Sequence, residues 1–206
     1  MSITFHEQTK TFSLHTPGSS YLISIGEQNY LVHQYYGKRL SDDVTDLYRR
    51  GWHAAFYPDL PNTQEGFSPD LVPMEYSTFG CGDMRVSALE IRNADGNTAT
   101  DIRYTAHRIK QGKEPIPDMP SLFLGDPAEA QTLEIDAVDC VTGALVTLYY
   151  TVFEQLDVIT RRVKITNTGK APLWLENVKR ICTRRIMIWF TCGARGARSV
   201  LSNAVR

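Results

Sequence analysis

Residues 131–178 read QTLEIDAVDCVTGALVTLYYTVFEQLDVITRRVKITNTGKAPLWLENV. Residues 132–138 alternate between apolar and polar side chains, and Val141-Thr142-Gly143 supplies a turn. Residues 144–153 alternate again, with Leu145, Thr147, Tyr149 and Thr151 on one face. Residues 157–166 repeat the pattern, placing Val163 and Ile165 on one face and Arg162, Lys164 and Thr166 on the other. Asn167-Thr168-Gly169-Lys170 is a further turn, and 172–178 is read as a returning strand. A period of two residues puts successive side chains on opposite faces of a strand. Three alternating arms joined by turns therefore predict an antiparallel sheet with one face in a core and one face wet.

The same grammar extends outward. Residues 11–14 and 21–25 are rich in β-branched and aromatic residues and flank the turn Pro17-Gly18-Ser19-Ser20. Residues 30–36 form another strand-like run, closed by Gly37-Lys38. Residues 87–92 and 98–107, separated by Asn93-Ala94-Asp95-Gly96-Asn97, read as strand, tight turn, strand. Residues 40–48 are the single helical candidate, capped by Ser41. The proline-rich stretches 57–73 and 112–126 read as long loops. Strands this frequent with so little helix predict an all-β fold, an antiparallel β-sandwich with long loops and at most one or two short helices.

Composition narrows the function classes. The chain has 206 residues, 42% hydrophobic and 22% charged, which suits a globular domain. No apolar run reaches the roughly 18 residues of a membrane span. The first ten residues are polar and no Asn-x-Ser/Thr acceptor occurs, so a cytoplasmic location is expected. Cys81, Cys140, Cys182 and Cys192 lack metal-ligand spacing and are read as reduced thiols. His6, His15, His33 and His53 are scattered, and neither metal nor cofactor is expected.

Several clusters invite chemistry and are better read as structure. Glycines on both sides of Cys81 suit tight turns, and no histidine is spaced to activate its thiol. Asp83 and Arg85 can pair or bind backbone, and Glu75-Tyr76 follow a proline. Alternation puts Asp101 and Arg103 on one face, where they can pair, near His107. A glycosidase needs two carboxylates held about 5–10 Å apart in a sugar pocket. Nothing in the sequence singles out such a pair, so no catalytic residue is assigned. Tyr35, Tyr36, Trp52, Phe56 and Tyr57 offer rings for stacking on a sugar, although core or interface positions explain them more simply.

Specific text goes further. Residues 30–38, YLVHQYYGK, resemble an early stretch of family 36 α-galactosidases. Phe67-Ser68-Pro69-Asp70, Met74-Glu75-Tyr76 and Gly80 with Gly82-Asp83-Met84-Arg85 resemble that family's next landmarks in order. So do Asp101-Ile102-Arg103-Tyr104 with His107-Arg108-Ile109 and Gly112-Lys113, then Thr132-Leu133-Glu134-Ile135 and Val158-Ile159-Thr160-Arg161. The resemblance spans about residues 3–180. It implies the amino-terminal β-sandwich of a multi-domain enzyme that hydrolyses α-galactosides such as melibiose and raffinose. In that family the catalytic aspartates lie on a following barrel, so the chain alone is expected to be inactive. The resemblance also implies packing on that barrel and a homotetramer, with sugars bound at most weakly by the sandwich itself. A stand-alone carbohydrate-binding or oligomerisation module is the alternative.

The tail departs from the family. Residues 1–176 carry a net charge of −8 and residues 177–206 carry +7, because every acidic residue lies at or before Glu176. Reading shifted codons that start at each third base from Arg185 onward gives, with permitted codons, NYDLVHLWGAWGKERSVERR, close to the family's continuation. Met187-Ile188 is forced to yield Asp and Trp189-Phe190 to yield Val, and both fit. The expected division is thus a sandwich over 1–180 and a basic, out-of-frame, poorly ordered tail over 181–206. On that reading the tail binds neither nucleic acid nor membrane.

Overall fold

The computed structural model describes residues 2–40, 47, 67–115 and 125–178, and the backbone of a strand at Ile186–Cys192. The helical candidate at 40–48 falls almost wholly outside the described residues. A four-stranded sheet runs in chain order through β1 (Ile3–His6), β2 (Thr11–His15), β3 (Ser19–Ile25) and β4 (Leu31–Lys38), all antiparallel. β1 falls among the polar first residues and was not anticipated. A two-stranded ribbon joins β5 (Leu89–Arg92) to β10 (Trp174–Val178). The largest sheet holds β6 (Ile102–Gln111), β7 (Ala130–Asp139), β8 (Leu145–Phe153), β9 (Val158–Thr166) and β11 (Ile186–Cys192), in the order β11-β9-β8-β7-β6. Its pairings are antiparallel except β11 on β9, which is parallel. Helical content among the described residues is three single 3-10 turns, at Glu27–Asn29, Pro69–Leu71 and Pro127–Glu129.

The chain is therefore an all-β sandwich. Phe12, Leu14 and Ile23 of the first sheet share one hydrophobic cluster with Leu133, Leu148 and Val163 of the large sheet, and Leu89 and Ile91 of the ribbon complete it. The period-two reading of β8 is confirmed in register. Val146, Leu148, Tyr150 and Val152 are buried at 1% exposure or less, and the intervening Tyr149 is only partly covered. Gly143 closes the β7–β8 turn with φ of 76°, a conformation that costs a side-chain-bearing residue more than glycine. Asp139 organises that turn, accepting from the Thr142 amide at 3.1 Å and from the Asp101 amide at 2.8 Å.

Two sequence expectations fail on topology. Residues 87–92 and 98–107 are not a hairpin: the turn at 93–97 exists, but β5 pairs with β10 while β6 pairs with β7. Likewise 172–178 does not return along β9; it crosses to the ribbon. Short turns usually join neighbours, but a sandwich closes only if some strands change partner, and strand periodicity carries no information on that choice.

A third expectation holds in kind and fails in degree. The outer face of the large sheet is polar and only partly wet: Lys164 is exposed and Tyr149, Arg162 and Thr166 are half-buried, but much of the rest is covered. Thr132, Glu134, Asp136, Thr147, Thr151 and Thr160 are each at most 9% exposed. Arg108 and Lys110 of β6 lie across this face, with Arg108 bonding Glu134 at 2.8 Å and Asp136 at 2.7 Å, and Lys110 reaching Glu134 at 2.8 Å. Their aliphatic stems shield what their charged ends pair.

Candidate functional site

One position breaks the apolar phase of β9. Ile159, Val163 and Ile165 face the core, and so, by the same alternation, does Arg161. An unpaired guanidinium there would be prohibitively costly, so a buried acid must meet it. That acid is Glu75, whose side chain is 1% exposed while that of Arg161 is 8% exposed. Glu75 arrives on a segment that pairs with β4: the Glu75 amide donates to Leu31 O at 2.9 Å and the His33 amide to Pro73 O at 2.7 Å.

The Glu75 carboxylate is fully engaged. The Arg161 Nη2 donates to Oε1, the Tyr150 hydroxyl donates to the same oxygen at 2.6 Å, and the Tyr21 hydroxyl lies 2.8 and 2.9 Å from the two oxygens. His33 Nδ1 donates to Oε2 at 3.2 Å. The guanidinium also sits 5.0 Å from the Tyr150 ring and 5.6 Å from the Tyr21 ring. Tyr21 and His33 belong to the first sheet, Tyr150 and Arg161 to the large one, so the cluster ties the two layers at their interface. Burial pushes the Glu75 carboxyl up, but Arg161 and the bonds from His33 and Tyr150 outweigh it and hold it below the usual range. Burial and the neighbouring Glu75 charge raise both phenols far above theirs, so Tyr21 and Tyr150 stay protonated and donate to Glu75, while the Tyr150 oxygen also accepts from Arg161 Nη2 at 3.3 Å.

The other sequence candidates are likewise occupied. Arg85 forks onto Asp83 at 2.7 and 2.9 Å and donates to Pro69 O at 2.9 Å. Arg103 meets Asp101 on one face as expected, at 2.8 and 2.7 Å, and lies 3.8 Å over the Tyr30 ring. Cys81 sits beside Thr78 Oγ1 at 3.2 Å, and burial raises its thiol, the opposite of an activated nucleophile. His107 packs 4.4 Å from the Phe5 ring and bonds the Tyr104 hydroxyl at 2.8 Å, with burial disfavouring its cation. Among the described residues no group of three or more His, Cys, Asp or Glu side chains is placed to hold a metal, and no helix is long and apolar enough to cross a membrane. Of the proposed stacking aromatics, Tyr36 packs against the main core and the Tyr35 hydroxyl donates to Lys38 O at 2.9 Å. Trp52, Phe56 and Tyr57 lie outside the described residues.

Sequence reading placed Arg162 correctly on the outer face but passed over its neighbour. The available signal was a charge in the apolar phase of β9. Nothing in the sequence linked it to Glu75, 86 positions earlier.

Comparison with known proteins agrees with this architecture. Residues 29–184 match the glycosyl hydrolase family 36 N-terminal domain. The α-galactosidase AgaA of Geobacillus stearothermophilus is 36% identical over 175 residues, which is 85% of this chain and 24% of AgaA. The bifunctional α-galactosidase/sucrose kinase AgaSK of Mediterraneibacter gnavus is 35% identical over 185 residues, 88% of this chain and 20% of that protein. The crystal structure of the α-galactosidase AgaB of Geobacillus stearothermophilus superposes with a TM-score of 0.80 at 36% identity, over 86% of this chain and 24% of AgaB. The chain thus spans about a fifth to a quarter of the length of these relatives. Sequence, sheet order and the matched span agree: the chain belongs to the glycoside hydrolase family 36 N-terminal domain family.

Proposed function

We propose that this chain is the non-catalytic amino-terminal domain of a cytoplasmic α-galactosidase, and that the hydrolysis of α-galactosides such as melibiose and raffinose belongs to polypeptide that follows it in its relatives. The observation that carries this reading is how the buried acids are used. A retaining glycosidase needs a carboxylate free to attack and a second one free to shuttle a proton, about 5–5.5 Å apart. Here Glu75, Asp83, Glu134, Asp136 and Asp139 each bond to donors of the same chain. Full-length relatives support the substrate class, since one AgaA variant was crystallised with raffinose and another with stachyose. The purified 206-residue chain should show no turnover of a chromogenic α-galactoside above buffer. Turnover that tracks the chain through purification would contradict the proposal.

In the assembled enzyme the sandwich packs on a catalytic barrel within a homotetramer. The tail over 181–206 is an out-of-frame reading of the family's continuation. The coding DNA tests this last point: restoring one or two bases near codons 179–185 should open a long downstream frame, and its absence would end the idea. The alternative, a stand-alone sugar-binding module, finds no support in Tyr35 or Tyr36, both engaged by the fold; calorimetric titration with galactose or raffinose should give flat heats.

A further inference from the structure

Among the described residues, three of the large apolar side chains most open to solvent fall within one loop. Phe79 is 45% exposed, Met84 82% and Val86 76%. Loops that display such residues are usually tethered loosely, but this one is not. The Phe79 amide donates to Leu89 O at 3.1 Å and Phe79 O accepts from the Thr100 amide at 2.9 Å. The Met84 amide donates to Asp70 at 3.2 Å, and Arg85 is locked by its fork onto Asp83 and its bond to Pro69 O. Gly80 lets the loop run against the segment that leads into β6, since a Cβ there would lie 2.8 Å from the Ala99 Cα. The apolar side chains are therefore held out by a fixed backbone, which removes the ordering cost of binding something on them.

The position of the loop says what that something is. β10 ends at Val178, which pairs with Leu89, the same residue that receives the Phe79 amide. The main chain leaves the ribbon at the rim of the loop. In relatives such as AgaA about three quarters of the polypeptide is not matched by this chain, and the family match ends at residue 184. The geometry points to Phe79, Met84 and Val86 as the docking surface for the polypeptide that follows this domain in family 36 enzymes. This inference rests on the function proposed above.

The test uses the full 206-residue chain and, as probe, AgaA lacking the quarter that this chain matches, benchmarked by rebinding its own missing quarter in trans. The chain should bind the probe. Met84→Glu/Val86→Glu should weaken binding by roughly tenfold or more, the expected result of charging two buried apolar contacts. Val141→Glu/Leu156→Glu, which charges two exposed apolar residues elsewhere on the surface, should leave it unchanged. All variants should keep the wild-type far-ultraviolet spectrum, because the substituted side chains are exposed. If Met84→Glu/Val86→Glu binds as wild type does, the docking surface is wrong while the functional reading stands. If the wild-type chain fails on a probe that rebinds its own quarter, the functional reading falls, and the surface with it.

Discussion

Among the described residues, the two acid–base clusters that involve the large sheet's β7 and β9 differ in how far they are removed from water. At the interface of the layers, Glu75 and Arg161 are removed from water, with side chains 1% and 8% exposed. On the outer face of the large sheet, Glu134 and Asp136 meet Arg108 and Lys110, whose side chains are 46% and 45% exposed. The chemistry is the same and the consequences are not. A buried pair costs several kcal/mol per ion in lost hydration and must be nearly completely satisfied to persist. A pair with one end in water is screened and contributes little. The inner cluster accordingly recruits two tyrosines and a histidine from three other strands, whereas the outer one is built from the adjacent strands β6, β7 and β8 of one sheet and tolerates exposed ends.

The largest effect should come from breaking the inner pair on one side. Arg161→Met leaves the Glu75 charge buried without its cation and should destabilise the fold by about 3–5 kcal/mol in urea denaturation. Next in size is acid. Burial raises the carboxyls of Glu75, Glu134 and Asp136, but their bonds to Arg161, to Lys110 and Arg108, and to Arg108 and Thr147 win in each case, so all three are held below the usual range. A carboxyl lowered in the folded state contributes stability that is complete above its unfolded value, about pH 4. That contribution is lost as pH falls through the lower folded value. The urea midpoint should thus owe these groups no change between about pH 5 and 7 and should fall below about pH 4. Tyr150→Phe removes the hydroxyl that bonds two buried charged groups, Glu75 and Arg161, and should cost about 2 kcal/mol. Arg108→Ala should cost about 1 kcal/mol or less, because Lys110 still serves Glu134 and Thr147 still serves Asp136. A loss from Arg108→Ala as large as that from Arg161→Met would erase the distinction between the clusters.

The contrast also marks what sequence could show. Strands β7, β8 and β9 were legible because apolar and polar residues largely alternate along each, and because Gly143 marks the β7–β8 turn and Gly169 the turn after β9. The Asp101–Arg103 pair was legible because both residues lie on one strand face. Glu75 with Arg161 was not, because its two halves come from separate layers and only the packing of one sheet on the other brings them together. The partner exchange of β5 and β10 escaped for the same reason: local pattern fixes which residues face inward, not which strand lies alongside. The family resemblance had already flagged Glu75 and Arg161 as landmark text without supplying their physical role.

A double-mutant cycle on Glu75→Gln and Arg161→Met, read by urea denaturation, tests most directly whether this carboxylate serves the fold rather than chemistry. A coupling energy of about 2 kcal/mol or more, well above that of Arg108 with Glu134, is the predicted result. A coupling near zero, with both single variants close to wild-type stability, would contradict it.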